Sequence, residues 1–354
     1  MKKTLIALAV LGATSSFAMA ASNVTLYGRI DTGVVAGKAD HKASTVSMNS
    51  GFRTGSRWGI KGTEDLGNGY QAGFVLEQGF GSDDGSVKNG WENAKGETVN
   101  GAFNRESKLF VKGEFDEIGF GRLGSLAGGA QTNSMLTGWA FGTSYTGGGT
   151  WTALAKGNGR LNNAVAYVSP TVAGLKVSAM YSNGITEESG EWNKDDHYYG
   201  IGAQYALGGF KNSLIFETVD AAGEEKAYLI NLGLGYKLGD WTPMFAYQYN
   251  WQDGGDKDHV FGLSAKANVA GGTLMLGARY LLGEDDGATA GNEDKRRAWA
   301  LNAAYEYPFS KRTVAWVYSG YAKGSKLLDS DVSKDNCTTK LNGYQVGLGL
   351  SHYF

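Results

Sequence analysis

The residues with which this 354-residue sequence could do acid–base, nucleophilic or metal chemistry are few and scattered. It holds four histidines, His41, His197, His259 and His352, and a single cysteine, Cys337. A hydrolase needs a nucleophile or an activated water beside a histidine and an acid. None of the histidines belongs to a GxSxG or HExxH string. Three fall in or near long polar connections, far apart in sequence, and His352 falls at the opposite end of the elements described below. The acidic clusters are Asp83 with Asp84, Asp253 with Asp256 and Asp258, and Glu284 with Asp285 and Asp286. They lack the regular spacing of a calcium loop and read as solvated loop tips. The GNGY at 67–70 is a turn, and no glycine-rich string precedes a helix, so no phosphate-binding loop is expected. The sequence therefore predicts no enzyme, no metal and no cofactor. What remains is fixed charge set at alternate positions of apolar rows, a pattern that can select ions without reacting with them.

Those rows are strands. In the segment 228–238, Tyr228, Ile230, Leu232, Leu234, Tyr236 and Leu238 share one face, while Asn231, Gly233, Gly235 and Lys237 share the other. The same period of two runs through 245–252, 274–280 and 299–307. Successive side chains of a strand point to opposite faces, so each segment is apolar on one side only. The other side is small and polar, and Tyr, Phe or Trp tend to close the apolar rows. Both features fit a sheet with lipid outside and water inside better than a β-sandwich.

Composition agrees. The chain has 55 Gly and 3 Pro, where an average chain of this length carries about 25 and 18. Aromatic residues make up 12% of the chain, and the mean hydropathy of -0.29 excludes a helical membrane protein. Residues 1–20 read as a cleaved signal peptide: Lys2 and Lys3, an apolar stretch from Leu5 to Ala13, then Ala18-Met19-Ala20 as the small-x-small cleavage site. Removing Lys2 and Lys3 from 33 basic residues leaves 31 against 35 acids, a net charge near −4 and no footprint for nucleic acid. After the leader no run of 18 apolar residues follows, so no transmembrane helix is expected. A lone Cys337 offers no disulfide framework.

The connections alternate in length. Short turns fall near 66–69, 114–118, 169–174, 207–211, 238–242, 269–272 and 307–312. Long polar connections fall near 37–51, 82–103, 124–158, 184–195, 220–225, 252–258, 283–294 and 323–340. Together they join sixteen strands with both chain ends on the short-turn side, as in bacterial barrels with short periplasmic turns and long outer loops. The expected fold is all-β: one antiparallel transmembrane β-barrel domain over 21–354.

The run VTLYGRIDTGV at 24–34, the run GSRWGIKGTEDLGNGYQAGFVLEQGF at 55–80, FGRLG at 120–124 and the terminal Phe354 resemble the trimeric general porins of Gram-negative bacteria. The resemblance covers the mature chain in architecture and is sequence-specific mainly in the first hundred residues and at the end. It implies a general diffusion channel for small hydrophilic solutes in the outer membrane, a homotrimer, and a third loop folded into the lumen as a constriction. It also implies a C-terminal Phe354 read by the barrel-assembly machinery. Contact with outer-membrane lipids and lipopolysaccharide follows from that location.

Strand parity points to the charges of the constriction. Opposite Val24, Leu26 and Ile30, the residues Tyr27, Arg29 and Asp31 face the lumen. Opposite Trp58 and Ile60, Arg57 and Lys61 do the same, and Glu77 follows by the same rule. Arg160 faces inward with Asn162 and Ala164. Lys176, Lys266 and Arg279 also point in. The family's basic ladder matches Arg29 and Arg57 by motif. Arg105 is a looser match, because alternation with Leu109 and Val111 turns Glu106 and Lys108 inward instead.

The third loop departs from the family's pattern, since no Asp or Glu occurs from Ile118 to Thr186. The relatives' acidic stretch is replaced by Trp139, Phe141, Tyr145 and Trp151 among Gly, Ser and Thr. A neutral loop opposite arginines predicts a filter that is neutral or anion-favouring. The aromatics either form a greasy patch for sugars or anchor the loop to the wall, and anchoring is the preferred reading. A sugar-specific channel and an adhesin or receptor barrel are the alternatives. A sixteen-stranded barrel with small inward residues leaves room for water and favours the channel.

Overall fold

A computed structural model describes residues 23–39, 43–87, 90–92, 98–128, 133–142, 144–145, 159–184, 196–221, 225–255, 257–285, 294–324 and 343–354. The expected leader (1–20) and Trp151 lie outside the described residues. So does His41. Among the described residues there is no helix.

The strands are β1 (Asn23–Ala39), β2 (Thr45–Ser50), β3 (Arg57–Gly67), β4 (Tyr70–Gly79), β5 (Gly90–Glu92), β6 (Thr98–Asn100), β7 (Glu106–Gly113), β8 (Asp116–Gly124), β9 (Arg160–Val168) and β10 (Leu175–Asn183). They continue as β11 (His197–Leu207), β12 (Phe210–Asp220), β13 (Ala227–Gly235), β14 (Trp241–Gln252), β15 (Lys257–Val269), β16 (Gly272–Asp285), β17 (Asp294–Pro308), β18 (Thr313–Gly324) and β19 (Gly343–Tyr353). Every barrel pairing is antiparallel. β1 pairs with β3 as well as β2, β4 pairs with β7 and the other strands pair with their sequence neighbours, and β1 closes on β19 from Arg29↔Tyr353 to Ala39↔Gly343. β5 and β6 form a separate ribbon. β2 and β3 share one barrel position, because both pair with β1. The barrel is therefore closed and sixteen-stranded. Closure leaves no edge, so no row of backbone N–H and C=O groups faces hydrocarbon unpaired, which in lipid costs several kcal/mol per group.

The faces sort as their residue types require. Leu214, Leu263, Leu301 and Leu348 are all more than half exposed on the outside. Ser213 and Asn302, each next to one of these leucines, are buried on the inside, as is Ser351 beside the half-exposed Leu350.

The first connection differs from its expectation. Most of 37–51 is ladder rather than loop, with Gly37↔Thr45 through Thr32↔Ser50 paired. The irregularity lies one step later. Ile30 and Asp31 of β1 stand opposite the six residues 51–56, an oversized bulge that turns the chain into the lumen. Asp31, with no exposed surface, is its hub. Its carboxylate accepts the Arg53 N–H at 3.0 Å, the Trp316 indole N–H at 3.0 Å and the Ser351 hydroxyl. Gly51 (φ 72°) makes the turn, where a Cβ would lie 2.8 Å from the Gly55 Cα.

Candidate functional site

Five arginines line one half of the wall. Arg29 and Arg57 are direct cross-strand partners. Arg105 precedes β7, Arg122 lies on β8, and Arg160 opens β9 opposite Gly124. Glu77 sits among them. The Arg105 Nε is 2.7 Å from one of its carboxylate oxygens and the Arg57 Nε is 3.5 Å from the other, which also accepts the Tyr27 hydroxyl at 3.2 Å. Arg29 donates to the Thr54 hydroxyl at 2.6 Å, with its guanidinium 4.9 Å from the Tyr353 ring centre. Arg122 donates to the Asn104 carbonyl at 2.8 Å and to the Asn162 side chain. Arg160 lies within electrostatic reach of Arg57, Arg105, Arg122 and Glu77. The cross-strand partner of Glu77 is the buried Glu106, and Glu77 is the carboxylate that Arg57 and Arg105 pair with.

Local breaks in the strands put two of these arginines in place. Before β7, Phe103 takes a positive φ of 59°, and its N–H donates to the Gln78 side chain at 2.6 Å. The turn brings Arg105 onto Glu77 while Glu106 and Lys108 remain buried. Parity alone set Arg105 against Glu106 and Lys108, yet the wall holds all three. In β8, simple alternation from the outward Phe120 sends Arg122 to the lipid. The register shifts between Gly121 and Leu123, opposite Asn163 at φ 48°, and Arg122 is bonded to Asn104 and Asn162 instead.

Of the remaining expected residues, Lys61 is exposed, with its ammonium 5.2 Å from the Tyr27 ring centre. Asp31 requires a correction. It points inward as parity says but is sealed beneath the bulge, so it holds structure and offers no charge to the channel. Arg53, its neighbour in the bulge, falls just past the expected connection at 37–51, and parity does not single it out. Arg53 grips Glu306 with two bonds of 2.7 Å, and donates to Tyr353 at 3.1 Å and Ser351 at 3.3 Å.

The described part of the third loop touches inward-facing residues of nearly every strand from β11 to β18. The Ala127 N–H donates to Glu217 at 2.6 Å, Gln204 donates to the Met135 carbonyl at 2.8 Å, and Thr137 shares a 2.8 Å bond with Ser213. The Ala140 N–H donates to Ser264 at 3.0 Å, and the Tyr145 hydroxyl to Glu306 at 3.0 Å. Gly138 lies so close to the wall that a Cβ would sit 2.3 Å from the Phe245 carbonyl oxygen and 2.6 Å from the Gly233 Cα. Apolar packing follows the same path: Leu126 and Met135 join Tyr198 and Ile215, and Tyr145 joins Phe52, Trp316 and Tyr318.

Three of the loop aromatics are buried against the wall. Trp139, Phe141 and Tyr145 are only 5%, 4% and 1% exposed. The Arg279 guanidinium lies 4.2 Å from the Trp139 ring centre, and Tyr145 stacks on Tyr318 at 5.1 Å. These three rings present no greasy patch to a passing sugar. The carboxylates behind the loop are engaged too, Glu217 by Tyr198 at 2.7 Å and Glu306 by Arg53.

The described histidines make separate contacts, His197 with Tyr181, His259 with Tyr247 and His352 with Thr313. Among the described residues no group of His, Cys, Asp or Glu could hold a metal. Phe354 exchanges two backbone bonds of 3.1 Å with Gly28, finishing the seam at the chain terminus.

Residues 7–327 match the family model of the Gram-negative porins. Outer membrane porin protein 32 of Delftia acidovorans is 32% identical over 89% of this chain and 88% of its own length. The major outer membrane protein P.IB of Neisseria meningitidis is 30% identical over the whole of both chains. Among solved structures, an anion-selective porin from Comamonas acidovorans superposes with a TM-score of 0.70 at 25% identity, covering 94% of this chain and all of that one. The trimer form of OmpT of Vibrio cholerae gives a TM-score of 0.64 at 17% identity, covering 94% of this chain and all of that one. A closed sixteen-stranded barrel, a basic inner wall and these relatives converge: the chain belongs to the Gram-negative porin family and is a general diffusion channel of the outer membrane.

Proposed function

We propose that the filter of this porin favours anions, with Arg29, Arg57, Arg105, Arg122 and Arg160 as its basic wall and the third loop, which carries no carboxylate, as the facing wall. The observation that carries the reading is charge balance. Five arginines stand on one side, two of them paired with Glu77 and with Glu106 next to it in the ladder, and the loop opposite brings no carboxylate of its own. Fixed charge of one sign between low-dielectric walls concentrates the counter-ion and raises its flux. The anion-selective description of the Comamonas porin points the same way. The working form is a homotrimer, in keeping with the trimeric OmpT fold relative. Phe354, at the end of the closing seam, is the assembly signal, and the outer rim meets lipopolysaccharide. The zero-current potential of the purified channel across a KCl gradient tests the filter: chloride preference supports it, and potassium preference sinks it.

A further inference from the structure

The arginine wall leaves another set of cations unused. A cavity of about 340 Å³ opens beneath the third loop, lined by Lys237, Asp240, Thr242, Lys266 and Asn268, with the Arg53–Glu306 pair as one wall. All the strands that build it turn here through short connections, so this is the periplasmic mouth. Lys211 belongs to the same group. It follows the outward Phe210 on β12, and it lies within electrostatic reach of Lys266. The Lys237 N–H donates to the Gly209 carbonyl at 2.8 Å, which ties its strand end to the turn before Lys211. Thr242 stands directly opposite Lys266 in the β14–β15 register.

Charge does not cancel in this cavity. Arg53 engages both oxygens of Glu306. Lys211, Lys237 and Lys266 make no ion pair among the described residues, although Glu306 lies within electrostatic reach of Lys266, and Asp240 is the remaining carboxylate in the lining. The lysines come from β12, the end of β13 and β15. Neighbouring strands lie about 4.8 Å apart, so the ammonium groups are spread over roughly 5 to 15 Å. That spread suits an extended anion with separated carboxylates better than a compact one. Thr242 and Asn268 add neutral donors between them.

We propose that Lys211, Lys237 and Lys266 form a second anion site at the periplasmic mouth, which takes small polycarboxylates. It is separate from the arginine wall and stands whether or not that wall sets ion preference. Anions leaving the filter meet it on the opposite side of the lumen, and the protein thereby distinguishes its two faces.

The test uses the full-length purified channel in a planar bilayer with citrate as the probe, and acetate at equal ionic strength as the control. In the wild type, citrate added to one chamber should reduce the current at about tenfold lower concentration than from the other, a difference of about 1.4 kcal/mol. Acetate should show no such preference. The K211Q/K237Q/K266Q variant should block equally from both chambers, while R57Q/R122Q should keep the side preference. Heat-modifiable mobility of the lysine variant shows that it has folded. Equal potency from both chambers in the wild type, an equal preference with acetate, or a preference that survives loss of the lysines would each overturn the proposal.

Discussion

Replacing Glu306 with Gln should loosen the third loop without opening the barrel. Glu306 receives both forks of Arg53 at 2.7 Å and the Tyr145 hydroxyl at 3.0 Å. It thus joins the wall, the 51–56 bulge and the loop in one place. Side-chain exposures of 11% and 17% make this pair nearly buried. Removing one partner of a fully buried pair costs about 3 to 5 kcal/mol, because the survivor keeps its charge without compensation. The adjoining cavity admits water, so about 2 kcal/mol is the working figure here. The loop meets this pair through the Tyr145 hydroxyl and through the Tyr145 N–H on the Arg53 carbonyl at 2.7 Å, so that amount sets an upper bound of roughly 30-fold on the shift between docked and released loop. Tyr145→Phe removes one hydrogen bond and leaves the ion pair, so it should cost about 1 kcal/mol and shift the balance only about fivefold. Single-channel recording in KCl reads both as closing events and open-channel noise. The expected order is Glu306→Gln well above Tyr145→Phe, and Tyr145→Phe above wild type. Equal noise in all three, with the barrel folded, refutes the idea that this junction holds the loop.

Gly138→Ala should act on the same loop by steric means. A Cβ 2.3 Å from the Phe245 carbonyl oxygen forces the chain off the wall, so conductance and noise should change although no charge does; an unaltered trace would contradict the seating. Trp139→Ala removes a ring buried against Arg279 and should cost the loop about 3 to 5 kcal/mol. Maltose entry into liposomes should then hold or rise, whereas a fall would revive the greasy-patch reading. Selectivity should also weaken with salt, since the screening length drops from about 10 Å at 0.1 M to about 3 Å at 1 M. A preference independent of KCl concentration would argue for pore shape instead of arginine charge.

Strand number, barrel closure and facing were legible in the sequence, because a period of two repeated sixteen times admits few other folds. The site was legible only where strands are regular. Arg57 and Glu77 sit where the β3–β4 ladder is in regular register, from Arg57↔Gly79 to Asp65↔Gln71, and parity faces both inward. Arg122 and Arg105 depend on a register shift and on a left-handed turn, features set by backbone conformation rather than residue type. A glycine at 121 and adjacent asparagines at 162 and 163 were the available hints. Asp31 faced inward as expected, but its burial depended on residues 51–56 returning over it. Nothing in the pattern from 37 to 51 locates that bulge. Phe52 and Arg53, an aromatic and a cation just past the expected connection, were its trace.

The account turns on whether arginine charge sets the ion preference. Its most direct test is the zero-current potential across a KCl gradient for the wild type and for R57Q/R122Q/R160Q, with folding of the variant checked by heat-modifiable mobility. The wild type should prefer chloride, and the variant should move strongly toward potassium. A variant that keeps the wild-type potential would contradict the central claim.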